Sequence, residues 1–166
     1  MNKVHSLRDH LTTHFGWLAA NPQAISVFVK GGTFGDVLSE PGEPLHIGYA
    51  YTARILLIDF AGDMREFTAV LWDWINRHQE DVAQNPQRRA MVRFEVELLD
   101  NALADVQIDL PLTEHAKFTP RPGGGFEVED GQEPQWEAPH YPAGWGVTVD
   151  GQIIRPFPST DDPGER

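Results

Sequence analysis

The sequence predicts an α+β fold: a mainly antiparallel twisted sheet of about four strands with two helices packed on it, followed by a Pro/Gly-rich C-terminal arm with a short β-hairpin. Three observations predict it. Two segments repeat apolar residues at helical spacing, at Leu7, Leu11, Phe15 and Leu18 and again at Phe67, Val70, Leu71, Trp74, Ile75 and His78. Two others, Val92–Leu98 and Val106–Thr113, alternate apolar and polar residues strictly, as half-buried strands do. From Pro120 onward the chain holds eight of its thirteen prolines and a Gly123-Gly124-Gly125 run, with no helical period. The division is therefore placed between a domain over 1–119 and an extension over 120–166.

The elements follow in order. Ser6 followed by Asp9 predicts a capping-box-like helix start, and the helix is expected to end near Ala20, before Asn21-Pro22. Ile25–Lys30, rich in β-branched and aromatic residues, reads as a strand stopped by Gly31-Gly32, with Thr33–Pro44 a loop. The next strand, Ile47–Phe60, has an Ile55-Leu56-Leu57-Ile58 centre apolar on both pleat faces, which suits a mid-sheet strand covered in part on both sides. Asp63 is the expected N-cap of a helix running to about Gln79. Trp72 falls at the margin of its buried stripe, roughly 100° from Leu71.

After a helical turn in DVAQNPQ comes the hairpin. Val92, Phe94, Val96 and Leu98, with Val106, Ile108, Leu110 and Leu112, form one face, expected under the helices. Arg93, Glu95, Glu97, Asp105, Gln107, Asp109 and Thr113 form the other. Like charges across strands are mildly destabilising, so that acidic face is tolerated or used. Within the extension, Gly125–Val128 and GVTV-DG-QIIR near 146–155 read as short strands, the latter about a type I′ turn at Asp150-Gly151.

Composition excludes several classes. The longest apolar run, Ile55–Ile58, is far short of the roughly 20 residues of a membrane helix, and the chain start lacks a signal-like apolar stretch. There are no cysteines for disulfides, thiolate metal sites or thiol nucleophiles. The formal charge is −12, and residues 92–137 carry eleven acids against Arg93, Lys117 and Arg121, which argues against nucleic-acid binding through phosphates.

No set of residues forms a catalytic constellation. His10 and His14 have the i, i+4 spacing of a helical metal pair but no third ligand, so they read as solvated helix histidines. Asp100 with Asp105, or Glu95 with Glu97, lack an apolar setting that would raise a carboxyl pKa. Gly123-Gly124-Gly125 lacks a following GK[ST] and reads as a flexible turn. The serines at 6, 26, 39 and 159 lack a nucleophile elbow. The expectation is a protein with no enzyme activity, no cofactor and no metal.

The wording of Ser6-Leu7-Arg8-Asp9, of IDFAGD at 58–63 and of FEVELLDNALADVQIDLPLTE at 94–114 resembles the tail completion protein R family of contractile-tailed phages of the peduovirus type, over roughly residues 1–115. The resemblance implies a terminator-like virion protein assembled in the host cytoplasm. It would form a homohexameric ring at the top of the tail, at the neck, capping the tube protein, touching the sheath and offering a surface to head–tail connector proteins. The genome would pass through without specific binding, and no membrane is involved. An adjoining neck ring, and a collar of a headless contractile particle, are the alternatives, with a metal-dependent hydrolase behind them. In that setting Glu95, Glu97, Asp105 and Asp109 are candidates for an acidic lumen face. Trp72 is a candidate interface residue, joined by Trp136, Tyr141, Trp145 and Phe157 on an arm that either crosses a neighbouring subunit or folds back.

Overall fold

The structure, a computed structural model, describes residues 2–38, 43–99 and 103–131, together with the backbone of 146–149 and 152–156. The elements run α1 (Asn2–His14), α2 (Gly16–Ala20), a 3-10 turn (Pro22–Ala24), β1 (Ile25–Leu38), β2 (Leu45–Phe60), α3 (Met64–His78), α4 (Glu80–Gln84), α5 (Pro86–Arg89), β3 (Arg93–Leu98), β4 (Ala104–Pro120), β5 (Phe126–Asp130), β6 (Gly146–Val149) and β7 (Gln152–Pro156). The main sheet is antiparallel in the order β1-β2-β4-β3, with β5 added to the far end of β4. The fold class is thus α+β, as the periodicities predict.

One face of the sheet carries the helices. Ala53, Ile55 and Leu57 of β2 stand opposite Leu110, Ile108 and Val106 of β4, and all six are buried. Leu7, Leu11 and Leu18 from the first helices and Phe67, Trp74 and Ile75 from α3 close over them. Apolar burial of this kind stabilises by about 25 cal/mol per Å² removed from water, so these positions dominate the stability of the domain. Trp74 is fully enclosed, and its indole N–H donates to Ser6 Oγ at 3.1 Å.

That bond corrects the expected helix start. Ser6 lies inside α1, which begins at Asn2, and the cap is supplied from far along the chain: Glu114 Oε1 on β4 accepts from Lys3 N at 2.6 Å. A carboxylate at a helix N-terminus is favoured by the unpaired N–H groups and the dipole, but a cap this remote leaves no local signature. The helix also breaks at Phe15 into α1 and α2. Asp63 caps α3 as expected, accepting from Arg65 N at 2.7 Å.

Three further expectations are corrected by packing. Gly31-Gly32 does not end β1; the strand bulges between Val29 and Gly31 and continues to Leu38. A Cβ at Gly32 would lie 2.6 Å from Tyr51 Cβ and 2.8 Å from Ala50 O, so glycine here permits close strand approach. In β2, Ile58 is 49% exposed and Leu56 half-buried, because the sheet has helices on one face only. Finally, the apolar face of β3 is not covered: Phe94 and Leu98 are 70% and 84% exposed.

Strand and helix lengths explain a second uncovered area, at the distal end of the sheet. β4, with 17 residues, spans roughly 56 Å at ~3.3 Å per residue, whereas the 15 residues of α3 span roughly 22 Å. The helices therefore shield only the end of the sheet built from residues 51–60 and 104–112. Its distal end, formed by the outer parts of β1, β2 and β4 with β5, exposes Phe34, Val37, Leu38, Phe126 and Val128. The β4–β5 turn uses Gly123, Gly124 and Gly125 at φ 95°, 101° and 82°, a conformation that side chains resist.

Candidate assembly surfaces

The four candidate acids lie on the sheet face opposite the helices. Their environments differ. β3 and β4 pair Arg93 with Asp109, Glu95 with Gln107 and Glu97 with Asp105. Asp109 is neutralised: Arg54 Nε donates to Oδ1 at 2.7 Å, Arg54 Nη2 to Oδ2 at 2.8 Å, and Lys30 Nζ to Oδ2 at 3.0 Å. The Arg54 hydrogen bonds are the main reason its carboxyl is held down to about 2, with Lys30 adding to them against a partial desolvation. Asp105 Oδ1 accepts from the backbone N of Asp59, a residue at φ 54° in the bulge where β2 turns out of register with β4. Glu95 and Glu97 stand exposed on the edge strand. Of the four acids only Asp109 is countered by cations, so Glu95, Glu97 and Asp105 carry the negative character of this face.

On the other face of β3, Phe94, Val96 and Leu98 register with Ile108, Val106 and Ala104. The β4 residues are buried, while the β3 row is exposed. Strict alternation made this row visible in the sequence; that no helix reaches it is a matter of tertiary extent.

Trp72 is half-buried at the edge of α3 and packs against the core cluster, consistent with its place at the stripe margin. Trp136, Tyr141, Trp145 and Phe157 lie outside the described residues, as do Asp100 and the Asp150-Gly151 turn. The two strands flanking that turn, β6 and β7, pair antiparallel where the hairpin was expected.

A polar cluster that no sequence motif announces joins the helices to β4. Gln79, 3% exposed, accepts from Lys3 Nζ at 3.0 Å and from Thr113 N at 3.1 Å, and donates to Thr113 Oγ1 at 2.8 Å. Lys3 Nζ also donates to the carbonyl of His78 at the end of α3. Tyr51 OH donates to Glu114 Oε1 at 2.7 Å, the same oxygen that caps α1. Each group satisfies another, which is what burial of polar atoms requires. The cluster borders an open groove of about 1070 Å³ whose Arg77 is held by Asp73 and whose Lys117 is held by Glu129.

His10 and His14 are not solvated as the helical spacing alone suggested. Their rings approach to 4.1 Å between centroids, and His10 Nε2 sits 3.2 Å from the Val70 carbonyl and 3.8 Å from Asp73. Burial, then the neighbouring His14, pushes the His10 pKa down to about 4 despite Asp73. Among the described residues no group of three His, Cys, Asp or Glu side chains is placed to hold a metal ion.

Paired ionisable groups, an acidic sheet face and uncovered strands mark an α+β protein with no metal-ligand cluster among the described residues. The chain belongs to the P2 phage tail completion protein R (GpR) family, whose profile matches residues 1–134. It is 26% identical over 135 residues to the Tail completion protein R of Escherichia phage P2, covering 81% of this chain and 84% of that protein. No solved structure matches it. The matched stretch extends past Glu114, where the resemblance in wording fades, to include the rest of β4 and all of β5.

Proposed function

We propose that this member of a phage tail completion family is the terminator: a ring, built from six copies, that caps the tail tube, stops its elongation and presents the surface on which the head docks. Family membership supports the structural role at the tail. The observation that carries the ring is the sheet with two unlike open edges, β1 on one side and β3 on the other. A contact between two different surfaces of one chain is head-to-tail, and such contacts close into rings when the rotation per subunit allows.

In this reading the lateral contacts come from the strand edges and from Trp72, with Trp136, Tyr141, Trp145 and Phe157 reaching a neighbouring subunit. The face bearing Glu95, Glu97, Asp105 and Asp109 turns toward the passage, where negative charge repels DNA phosphates. The tube lies below, the sheath outside, and the connector proteins above.

Electron microscopy of the purified protein and of tails made without it tests this. Rings for the protein, and tails of uncontrolled length for the deletion, are expected. Tails of normal length that fail only to join heads would move the protein to the adjoining neck ring. A protein that stays monomeric and is absent from finished tails would remove it from the tail altogether.

A further inference from the structure

Of the two open edges, one is broken by bulges and the other, though short and charged on its acidic face, runs in unbroken register. β1 is interrupted by bulges between Val29 and Gly31 and between Phe34 and Val37, which break the row of backbone groups available to another strand. β3 is different. It holds Arg93–Leu98 in unbroken register, contains neither lysine nor proline, and presents Phe94, Val96 and Leu98 beside its unpaired edge. Natural sheets rarely leave such an edge without a partner strand.

The same chain carries a strand pair in need of a sheet. β6 and β7 pair with each other and, among the described residues, with no strand of the main sheet. A two-stranded hairpin alone is marginal in water; a third strand or an apolar surface is needed for it to persist. By sequence its strands include Val147, Val149, Ile153 and Ile154, with Arg155 the one charged residue of β7, while β3 exposes Arg93, Glu95 and Glu97. Residues 132–145 separate it from β5, a stretch whose contour length is at most about 50 Å.

We infer that the β6–β7 hairpin of one copy adds to the β3 edge of the next, extending the neighbour's sheet and covering Phe94, Val96 and Leu98. This rests on the ring reading and supplies its lateral bond. The contact uses an edge, so the acidic face of the sheet stays free. The hairpin lies beyond the residues matched to the family, so the bond is a feature of this chain added to whatever contacts the shared domain makes.

The absence of cysteine makes the test direct. Full-length chains carrying Leu98→Cys are mixed with chains carrying one cysteine at Val147, Val149, Ile153 or Arg155, and mildly oxidised; Arg8→Cys, exposed on α1, serves as the control. At least one hairpin position is expected to form disulfide-linked dimers with Leu98→Cys at ten times the control yield or more. A chain carrying both cysteines should likewise give linked oligomers. If it gives internally linked monomers instead, the hairpin covers its own β3 and the inference fails. Rings with no linkage from any position also overturn it while leaving the ring reading intact. Only monomers of the unmodified chain by light scattering, together with its absence from finished tails, would end the ring reading itself.

Discussion

Arg54 on β2 and Asp109 on β4 are register partners across the sheet and close a two-pronged ion pair, at 2.7 and 2.8 Å, on the face away from the helices. The pair removes one carboxylate from what the sequence presents as a uniform acidic surface. It also anchors the centre of the sheet, because Lys30 on β1 reaches the same carboxylate at 3.0 Å and so ties three strands together.

Arg54→Gln is expected to lower the melting temperature at neutral pH. The Arg54 hydrogen bonds hold the folded Asp109 carboxyl down to about 2, below the ordinary 3.8, so the stabilisation is complete above pH 4 and is lost as pH falls toward 2. Melts followed by circular dichroism at pH 7, 4 and 2 should show the gap between the two proteins closing at the acid end. A gap that stays constant to pH 2 would count against the pair.

His10 has the opposite linkage to most histidines with an acidic neighbour. Its folded pKa of about 4 lies below the ordinary 6.5, so folding favours the neutral ring and stability declines as pH drops from 6.5 toward 4. His10→Gln should flatten that part of the stability profile, measured by urea unfolding and taken as the difference from the unmodified protein. The His10 ring protons should titrate near pH 4 by NMR, and a midpoint at 6 or above would contradict the packing described.

The two tryptophans of α3 should separate stability from assembly. Trp74→Ala empties a fully enclosed site and is expected to cost about 3–5 kcal/mol. Trp72→Ala, at the half-buried margin, should cost roughly 1–2 kcal/mol and weaken self-association out of proportion to that loss. Denaturant curves beside sedimentation profiles measure both effects.

Gln79→Ala should destabilise by about 1–3 kcal/mol, because it removes one acceptor from the part-buried Thr113 N–H and one from the Lys3 ammonium. The urea midpoint reports it. An unchanged midpoint would mean that solvent replaces the amide without penalty.

Glu95→Lys combined with Glu97→Lys alters exposed positions and should leave stability within about 0.5 kcal/mol. If this face borders the DNA passage, tails should assemble in normal numbers while infectivity drops. Unchanged infectivity from tails that contain the variant would move these residues to the outer wall.

The sequence by itself determined the α+β class, the inner stripe of α3 with its Asp63 cap, the pairing of β3 with β4, and the β6–β7 strands, because each is written in local periodicity or turn chemistry. Family wording added the tail role. Only the tertiary structure decided where α1 begins, since its cap is Glu114, 111 residues away. Only it decided that Asp109 is neutralised while Glu95 and Glu97 are left exposed, since Arg54 meets Asp109 through sheet register. It also decided that β3 keeps its apolar row in the open. Alternation says which residues share a face, but whether that face is covered depends on where the helices lie across the sheet: they cover Ala104, Val106 and Ile108 of β4 and leave the neighbouring edge strand open.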